Sequence, residues 1–353
     1  MRLLSLTPHV PFVARLDVRW RPPPSVRLAA LVAAVGSVVA LELASYGRDP
    51  RAWDLLFVSG VLTLAVAVWL ARDLGQRFEV ALVRLTTREV LRPPKRVKRA
   101  RDDILRSANA WAGWMGAVGA LGLSGAFAIV NAARSDELGL LFTVGGPIVG
   151  GVGGLVAGRP IGRMIGYSLI SSRLKAHDVE IVVSPGHIDQ AAGFKPLGDF
   201  FFRQALLLAI PAAFLLAWTV LFFTPAFSER YGAWRDAYLG LLVTAIIIEV
   251  LAFVAPLWGI HQVMRRCKEA LLPEADQRAT EIRAIRAKLE REIEGDERTS
   301  LRDLLSEQER AYEAIDKMPT WPIDPSVRRR FTLGNAGLVL SVATQTIALA
   351  GFS

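Results

Sequence analysis

The sequence predicts an all-α fold: a polytopic transmembrane bundle of six or seven helices with a cytoplasmic helical hairpin. Hydropathy is the first reason. The chain has 353 residues, 52% of them hydrophobic, and a mean hydropathy of +0.34. Its apolar residues arrive in blocks of about twenty, the length a helix needs to cross a ~30 Å hydrocarbon core. The second reason is the form of those blocks. They are about twice the length of a barrel strand and do not alternate, so they are helices, which satisfy every backbone group internally in lipid. The third is charge. Segments 1–27, 72–108, 159–203 and 261–330 hold 37 of the 42 Lys and Arg residues, and the intervening loops 47–52, 134–137 and 225–237 hold 5. Basic residues stay inside, so the N-terminus is cytoplasmic and, with seven spans, the C-terminus is outside. These features exclude an ordinary cytosolic enzyme or a secreted domain, and they leave no soluble stretch longer than about 70 residues.

Residues 1–27 form a cytoplasmic N-terminal segment with Pro8, Pro11 and Pro22–Pro24 and no apolar signal-like core. The first transmembrane hairpin occupies 28–71, with spans at 28–46 and 53–71. A basic cytoplasmic loop, 72–108, follows. Its cluster Lys95, Arg96, Lys98, Arg99 and Arg101, after Pro93-Pro94, anchors topology and is a candidate site for anionic lipid headgroups.

The second hairpin, 109–158, has spans at 109–133 and 138–158 joined by Arg134-Ser135-Asp136-Glu137. It is the richest in glycine. Gly146, Gly150, Gly154, Gly158, Gly162 and Gly166 recur every four residues. Gly113, Gly116, Gly119, Gly122 and Gly125 recur every three, beside Ala112, Gly116, Ala120, Ser124 and Ala128 every four. Small residues at these spacings let helix backbones meet in lipid. They predict a glycine zipper that either packs within one protomer or lines a pore or homo-oligomer seam. A four-residue repeat gains about 40° per step, so the ridge serves one strongly crossed neighbour or two different ones. The small-residue run Ala112–Ala133 is similar to the pore helix of small-conductance mechanosensitive channels over one span, without the β-rich domain that follows it there.

Segment 159–203 is cytoplasmic or interfacial. His177, His187 and Asp189 are weak metal candidates, because their spacing matches no tight ligand motif; no metal or cofactor is expected. Val179–Val183 reads as a short strand or an interfacial stretch ended by Ser184-Pro185-Gly186. The run His187-Ile188-Asp189-Gln190-Ala191-Ala192-Gly193-Phe194-Lys195-Pro196-Leu197-Gly198 resembles the H-P-D-x-x-G-G-L-x-x-L-G signature of uncharacterised bacterial multi-pass membrane proteins. Ile188 and Ala192 depart from it. The resemblance implies a bacterial integral membrane protein and no particular activity. The excess of Arg over Lys (7 Lys in all) suits a GC-rich bacterium and an inner-membrane location.

The third hairpin, 204–260, has spans at 204–224 and 238–260. Glu249 lies midway through the second. A carboxylate at that depth costs at least ~2.5 kcal/mol and must face the bundle or water. Thr244, Ser341 and Gln345 are at its depth. Pro256 and Pro211 interrupt their helices nearby, a pattern of ion and proton sites. Glu42 and Asn131 approach the outer headgroups.

The hairpin 261–330 balances 15 basic against 15 acidic residues, as a salt-bridged helical pair does. The helix from 238 is expected to protrude to Leu272 and stop at Pro273. Ile282, Ile285, Leu289 and Ile293 then mark a coiled-coil-like seam. Ser300 and Asp303 form a capping-box start for a helix carrying Leu301, Leu304, Leu305, Tyr312 and Ile315. Residues 274–318 are a candidate surface for a cytoplasmic protein partner. The segment 331–353 is the seventh span.

Phosphate-loop, H-E-x-x-H and C-x-x-C motifs are absent, and the lone Cys267 excludes a disulfide framework. The basic balance belongs to membrane-flanking loops, so no nucleic acid is expected. The function predicted is a non-enzymatic sensor, scaffold or assembly protein acting through the hairpin. The alternative is an ion channel or transporter with Glu249 on its path.

Overall fold

A computed structural model describes residues 53–133, 140–232, 235–290 and 295–334, with 32, 36–40, 42–44, 47 and 336. Most of the first span, the 134–137 turn, Ile293, Ser341, Gln345 and nearly all of the seventh span lie outside the described residues, as does the side chain of Asn131.

The described chain is all-α apart from one two-residue strand pair. Helix α1 (Leu55–Ala71) starts where the Asp54 carboxylate accepts the amides of Leu56 and Phe57. After a break at Arg72 and Asp73 the chain continues as α2 (Leu74–Thr87). Strand β1 (Leu91–Arg92) precedes α3 (Pro94–Ala133). Helix α4 (Leu140–Ser168) is followed by α5 (Ile170–Ala176) and strand β2 (Glu180–Ile181). Strand β2 pairs antiparallel with β1, Leu91 opposite Ile181. Then come α6 (Lys195–Leu221), α7 (Pro225–Tyr231), α8 (Arg235–Leu289) and α9 (Asp296–Asp316). Residues 325–334 are again helical. Among the described residues four helical stretches are long and apolar enough to cross a membrane: Leu55–Thr87, Pro94–Ile129, Lys195–Leu221 and Arg235–Leu289.

Three expectations are corrected. The segment 72–108 is not a loop. Its apolar residues Leu74, Phe78, Ala81, Leu82 and Leu85 fall on one face of α2, and its second half is the start of the 40-residue α3. Pro273 does not stop the sixth-span helix, since α8 runs 55 residues with both Pro256 and Pro273 inside it. A proline removes one hydrogen bond, and a long, well-anchored helix bends past that loss. Helix α9 begins at Asp296 after Gly295, which has φ +75° and provides no side-chain cap. Ser300 instead donates to the carbonyl of Glu297.

The main hydrophobic core lies at one end of the bundle, the basal end, where α1 finishes and α6 begins. Phe78 of α2, Ile104 and Ala108 of α3, Tyr167 of α4, Ile170 of α5, Phe194, Phe200 and Phe201 near the start of α6, and Leu257 and Ile260 of α8 meet there, with Ile323 and Val327 beneath. Phe78 stacks on Tyr167 at 4.6 Å and approaches Phe200 at 5.2 Å. Each large side chain fully removed from water contributes about 1.5–3 kcal/mol. Above this core the apolar helices are thinly covered. Only 6% of the residues in the apolar window of Leu55–Thr87 are buried, and 11% in that of Pro94–Ile129. At the opposite, distal end a smaller aromatic group, Trp218, Phe222 and Tyr231, ties α6 and α7 together. Trp218 Nε1 donates to Ser59 Oγ at 3.0 Å, and the Tyr231 hydroxyl accepts the Leu55 amide at 3.2 Å.

Candidate functional site

The glycine helices form the most intimate contact. Helices α3 and α4 run antiparallel, and a Cβ placed on Gly154, Gly158, Gly162 or Gly166 would strike the α3 backbone at Gly119, Met115, Trp111 or Ala108 respectively. Gly150 sits against Leu123 and Phe127, and Gly151 against Ser124. The ridge therefore serves one neighbour along its described length, and a seam held at that period winds in the right-handed sense. On α3 the partners are the four-spaced series, with Ala112 opposite Gly162, Gly116 opposite Gly158 and Ala120 opposite Gly154. The three-spaced series drifts off the contact: Gly122 and Gly125 have nothing within 4 Å. Gly146 is buried and Gly113 half-buried.

Glu249 is 3% exposed. It lies on the face of α8 that buries Leu242, Ile246 and Phe253, turned into the bundle. Thr244 is exposed and its hydroxyl donates to the Gly240 carbonyl at 2.8 Å, so it does not serve Glu249. Glu42 is corrected too. It is fully buried, and its carboxylate accepts the Asp54 amide at 3.0 Å, so it is not among headgroups.

At the basal end the loop between β2 and α6 is built around Asp189. Its Oδ1 accepts the amides of Ala191 and Gly193 at 3.1 and 2.9 Å and lies 2.8 Å from His187 Nδ1, while Arg88 of α2 reaches Oδ2 at 3.2 Å. Burial alone would raise this carboxyl; the Gly193 and Ala191 amides and His187 outweigh it and leave it below the ordinary value. Gly193 has φ +92°, and a Cβ there would lie 2.6 Å from Val90. Gly198 rests on the Pro322 carbonyl, and Lys195 Nζ holds Asp324 at 2.8 Å. That hydrogen bond, with those of Ser326, takes the Asp324 carboxyl down to about 2. The conspicuous letters of the His187–Gly198 run are thus the knots of one junction joining α2, α6 and the 318–327 strap.

His177 is elsewhere, 3.4 Å from Asp103 of α3, which also pairs with Arg173 at 3.0 Å. Among the described residues no three His, Cys, Asp or Glu side chains gather as a metal site. Lys95, Arg96, Lys98 and Arg99 are exposed on the first turns of α3, while Val97 and Ala100 between them are buried. Arg96 caps the Asp178 carbonyl at 3.0 Å, and Arg101 is held by Asp102.

Helix α8 passes the same junction on its way out of the bundle. His261 Nδ1 lies 2.7 Å from the Thr320 carbonyl, and its ring stacks on Trp321 at 4.3 Å. Two turns further, Lys268 donates to the carbonyls of Asp316 and Met318 at 2.7 and 3.1 Å. Beyond that, Ile282 and Ile285 are buried, and Arg278 and Arg286 bind Gln308 and Glu309 of α9 at 2.8 and 2.6 Å. Helix α8 therefore carries Glu249 inside the bundle, passes the strap, and forms one arm of the hairpin. Sequence reasoning missed this continuity because it took Pro273 as a stop. The even run of charge and buried positions across 268–285 was the available signal. Comparison with protein-family models, curated proteins and solved structures finds no match.

Proposed function

We propose that this is a multi-pass bacterial inner-membrane protein of six or seven spans, N-terminus inside, which is not an enzyme and relays the state of its membrane bundle to a cytoplasmic hairpin. The observation that carries this reading is the unbroken α8, whose 55 residues reach about 80 Å at 1.5 Å each. A tilt or axial shift around Glu249 is transmitted to the strap through His261 and Lys268, and to α9 through Arg278 and Arg286. Between the arms Ile282 and Ile285 of α8 and Ile315 of α9 are buried while Leu304 stays exposed, so a cytoplasmic partner would meet a charged surface that still offers some apolar area.

The test uses spin labels at exposed positions Ala284 of α8 and Leu304 of α9, and at a second pair, Arg266 of α8 and Arg328 just beyond the strap, in liposomes. The relay reading expects Glu249→Gln, or membrane stretch, to shift at least one distance distribution by several ångströms. Identical distributions under every condition refute it.

A second reading rests on the burial of Glu249 itself: a proton- or ion-conducting bundle. It expects flux in liposomes that Glu249→Gln abolishes while the protein stays folded. No flux over a range of ions, pH and tension refutes it.

A further inference from the structure

Between α2 and the start of α6 lies a cleft of about 510 Å³. Arg77, Val80 and Arg84 of α2 line one wall, and Asp199, Phe200 and Arg203 of α6 the other. Phe78 against Phe200 at 5.2 Å fixes how the helices meet. Arg77 and Arg84 are seven residues apart, about 10 Å along the helix, and Arg203 faces them. None of the three forms an ion pair with a described residue, whereas the other aspartate at the cleft, Asp73, is 3.5 Å from Arg72. Three arginines against Asp199 and the already paired Asp73 leave the cleft a net positive charge on hydrogen-bond forks that match phosphate.

Its surroundings point to the kind of phosphate. Arg203 is the last charged residue before the apolar run 204–221, and Ala71, two residues before Asp73, ends the apolar run of α1. Along the chain from the cleft, exposed apolar side chains stand three residues past Arg203 and seven before Arg77, both helical spacings that keep to one face. Leu70 and Val66 are 48% and 52% exposed on α1, Leu206 is 49% exposed on α6, and Val80 is 48% exposed within the cleft itself. A soluble phosphate has no use for such a strip, whereas a phospholipid lays its acyl chain against one. On the membrane reading above, we propose that this cleft binds the phosphate headgroup of an anionic phospholipid of the cytoplasmic leaflet. Arg77 and Arg203 hold the phosphate, Arg84 holds a second anionic group where the headgroup has one, and an acyl chain lies along Leu70 and Leu206.

The experiment measures binding of phosphatidylglycerol and phosphatidylcholine to the purified full chain in detergent by native mass spectrometry. The wild type is compared with Arg77→Gln/Arg203→Gln and with Lys95→Gln/Lys98→Gln, which removes the same charge from the exposed start of α3. A juxtamembrane arginine counts for about fivefold in binding, so the cleft pair is expected to cost about thirtyfold in phosphatidylglycerol affinity. The α3 pair and the phosphatidylcholine arm should change far less. Leu206→Trp, which keeps every charge and obstructs the strip, should weaken the lipid without altering helicity. Equal losses from the two double variants would overturn the site in favour of diffuse attraction. Millimolar inorganic phosphate that binds the cleft and displaces the lipid, with Leu206→Trp silent, would overturn the lipid as its ligand. Retained helicity and intact basal-core hydrogen exchange separate loss of the site from misfolding. Because spin-label distances in the hairpin are a different readout, failure here leaves the relay proposal standing, and the converse holds.

Discussion

Gly154→Ala is the sharpest perturbation of the seam between α3 and α4. Its new Cβ would land on the Gly119 carbonyl and lie 2.8 Å from the Ala120 amide nitrogen. Both targets are backbone and cannot rotate aside, so the helices must part by about half an ångström or more. A gap of that size forfeits a quarter to a half of each dispersion contact it touches, and Gly150, Gly158, Gly162 and Gly166 share the seam. Overpacking of this kind costs about 1–3 kcal/mol, against a gain of up to about 1 kcal/mol for Ala over Gly in a helix. The expected net loss is about 1–2 kcal/mol. Gly122→Ala is the internal control. With nothing within 4 Å, it keeps only the propensity gain. Reversible unfolding of the protein in dodecyl maltoside by added dodecyl sulfate, followed by helicity, compares the two. A Gly154→Ala variant no less stable than Gly122→Ala refutes the close approach. Gly154→Ala combined with Gly158→Ala should cost less than the sum of the two, because one separation accommodates both methyls.

Asp189→Ala strands the Ala191 and Gly193 amides and frees Arg88, so it should cost about 1–3 kcal/mol and raise hydrogen exchange across 186–194 while the spans stay protected. Asp189 and Asp324 both have lowered carboxyl values. Each contributes stability that is present above the ordinary carboxyl range and is lost as pH falls through its lowered value, about 2 for Asp324, which exchange in the loop and the 318–327 strap should register before the apolar helices loosen. Asp199 has the opposite sign. Burial raises its carboxyl, with Lys195 and Arg84 opposing and Asp324 and Asp189 adding, so Asp199→Asn should be neutral to stabilising at pH 7 in thermal melts. His261→Phe keeps the stack on Trp321 but loses the contact to the Thr320 carbonyl. It should increase exchange at 318–322 without changing overall helicity.

The apolar runs behind the four long helices and the hairpin were legible because both are dictated by periodicity over many residues. Within the glycine helices the two spacings were equally legible as patterns. Only geometry chose between them, since a three-residue step turns away from a neighbour that a four-residue step can follow. Pro273 misled because a proline's local cost was weighed without the anchors on either side, Lys268 on the strap and Ile282 against α9. The segment 72–108 misled for a related reason. Its many arginines advertise loop, while Leu74, Phe78, Leu82 and Leu85 make a helical face that acquires meaning only when Phe200 and Tyr167 arrive from distant parts of the chain. The cleft beside that face was invisible for the same reason, since Arg203 lies more than a hundred residues along the chain from Arg77 and Arg84.

The division between a thinly covered bundle and a dense basal core has a physical origin. On the proposed membrane reading the apolar helices lie in hydrocarbon, where no hydrophobic effect pulls helices together, so contact there depends on close backbone approach, and the chain places its glycines at α3 and α4. Where the helices emerge into water, apolar faces cohere on their own, and Phe78, Phe194, Phe200 and Phe201 are buried with little or no exposure. The basal core is then the stiff part, and the long helices above it are free to tilt. Helix α8 crosses both regimes without a break and is pinned to the strap where they meet. Motion of the thinly held upper helices therefore has one continuous element through which to reach α9. The proposed relay depends on that element's four successive contacts, His261 and Lys268 at the strap and Arg278 and Arg286 at α9, and loosening any of them should weaken it.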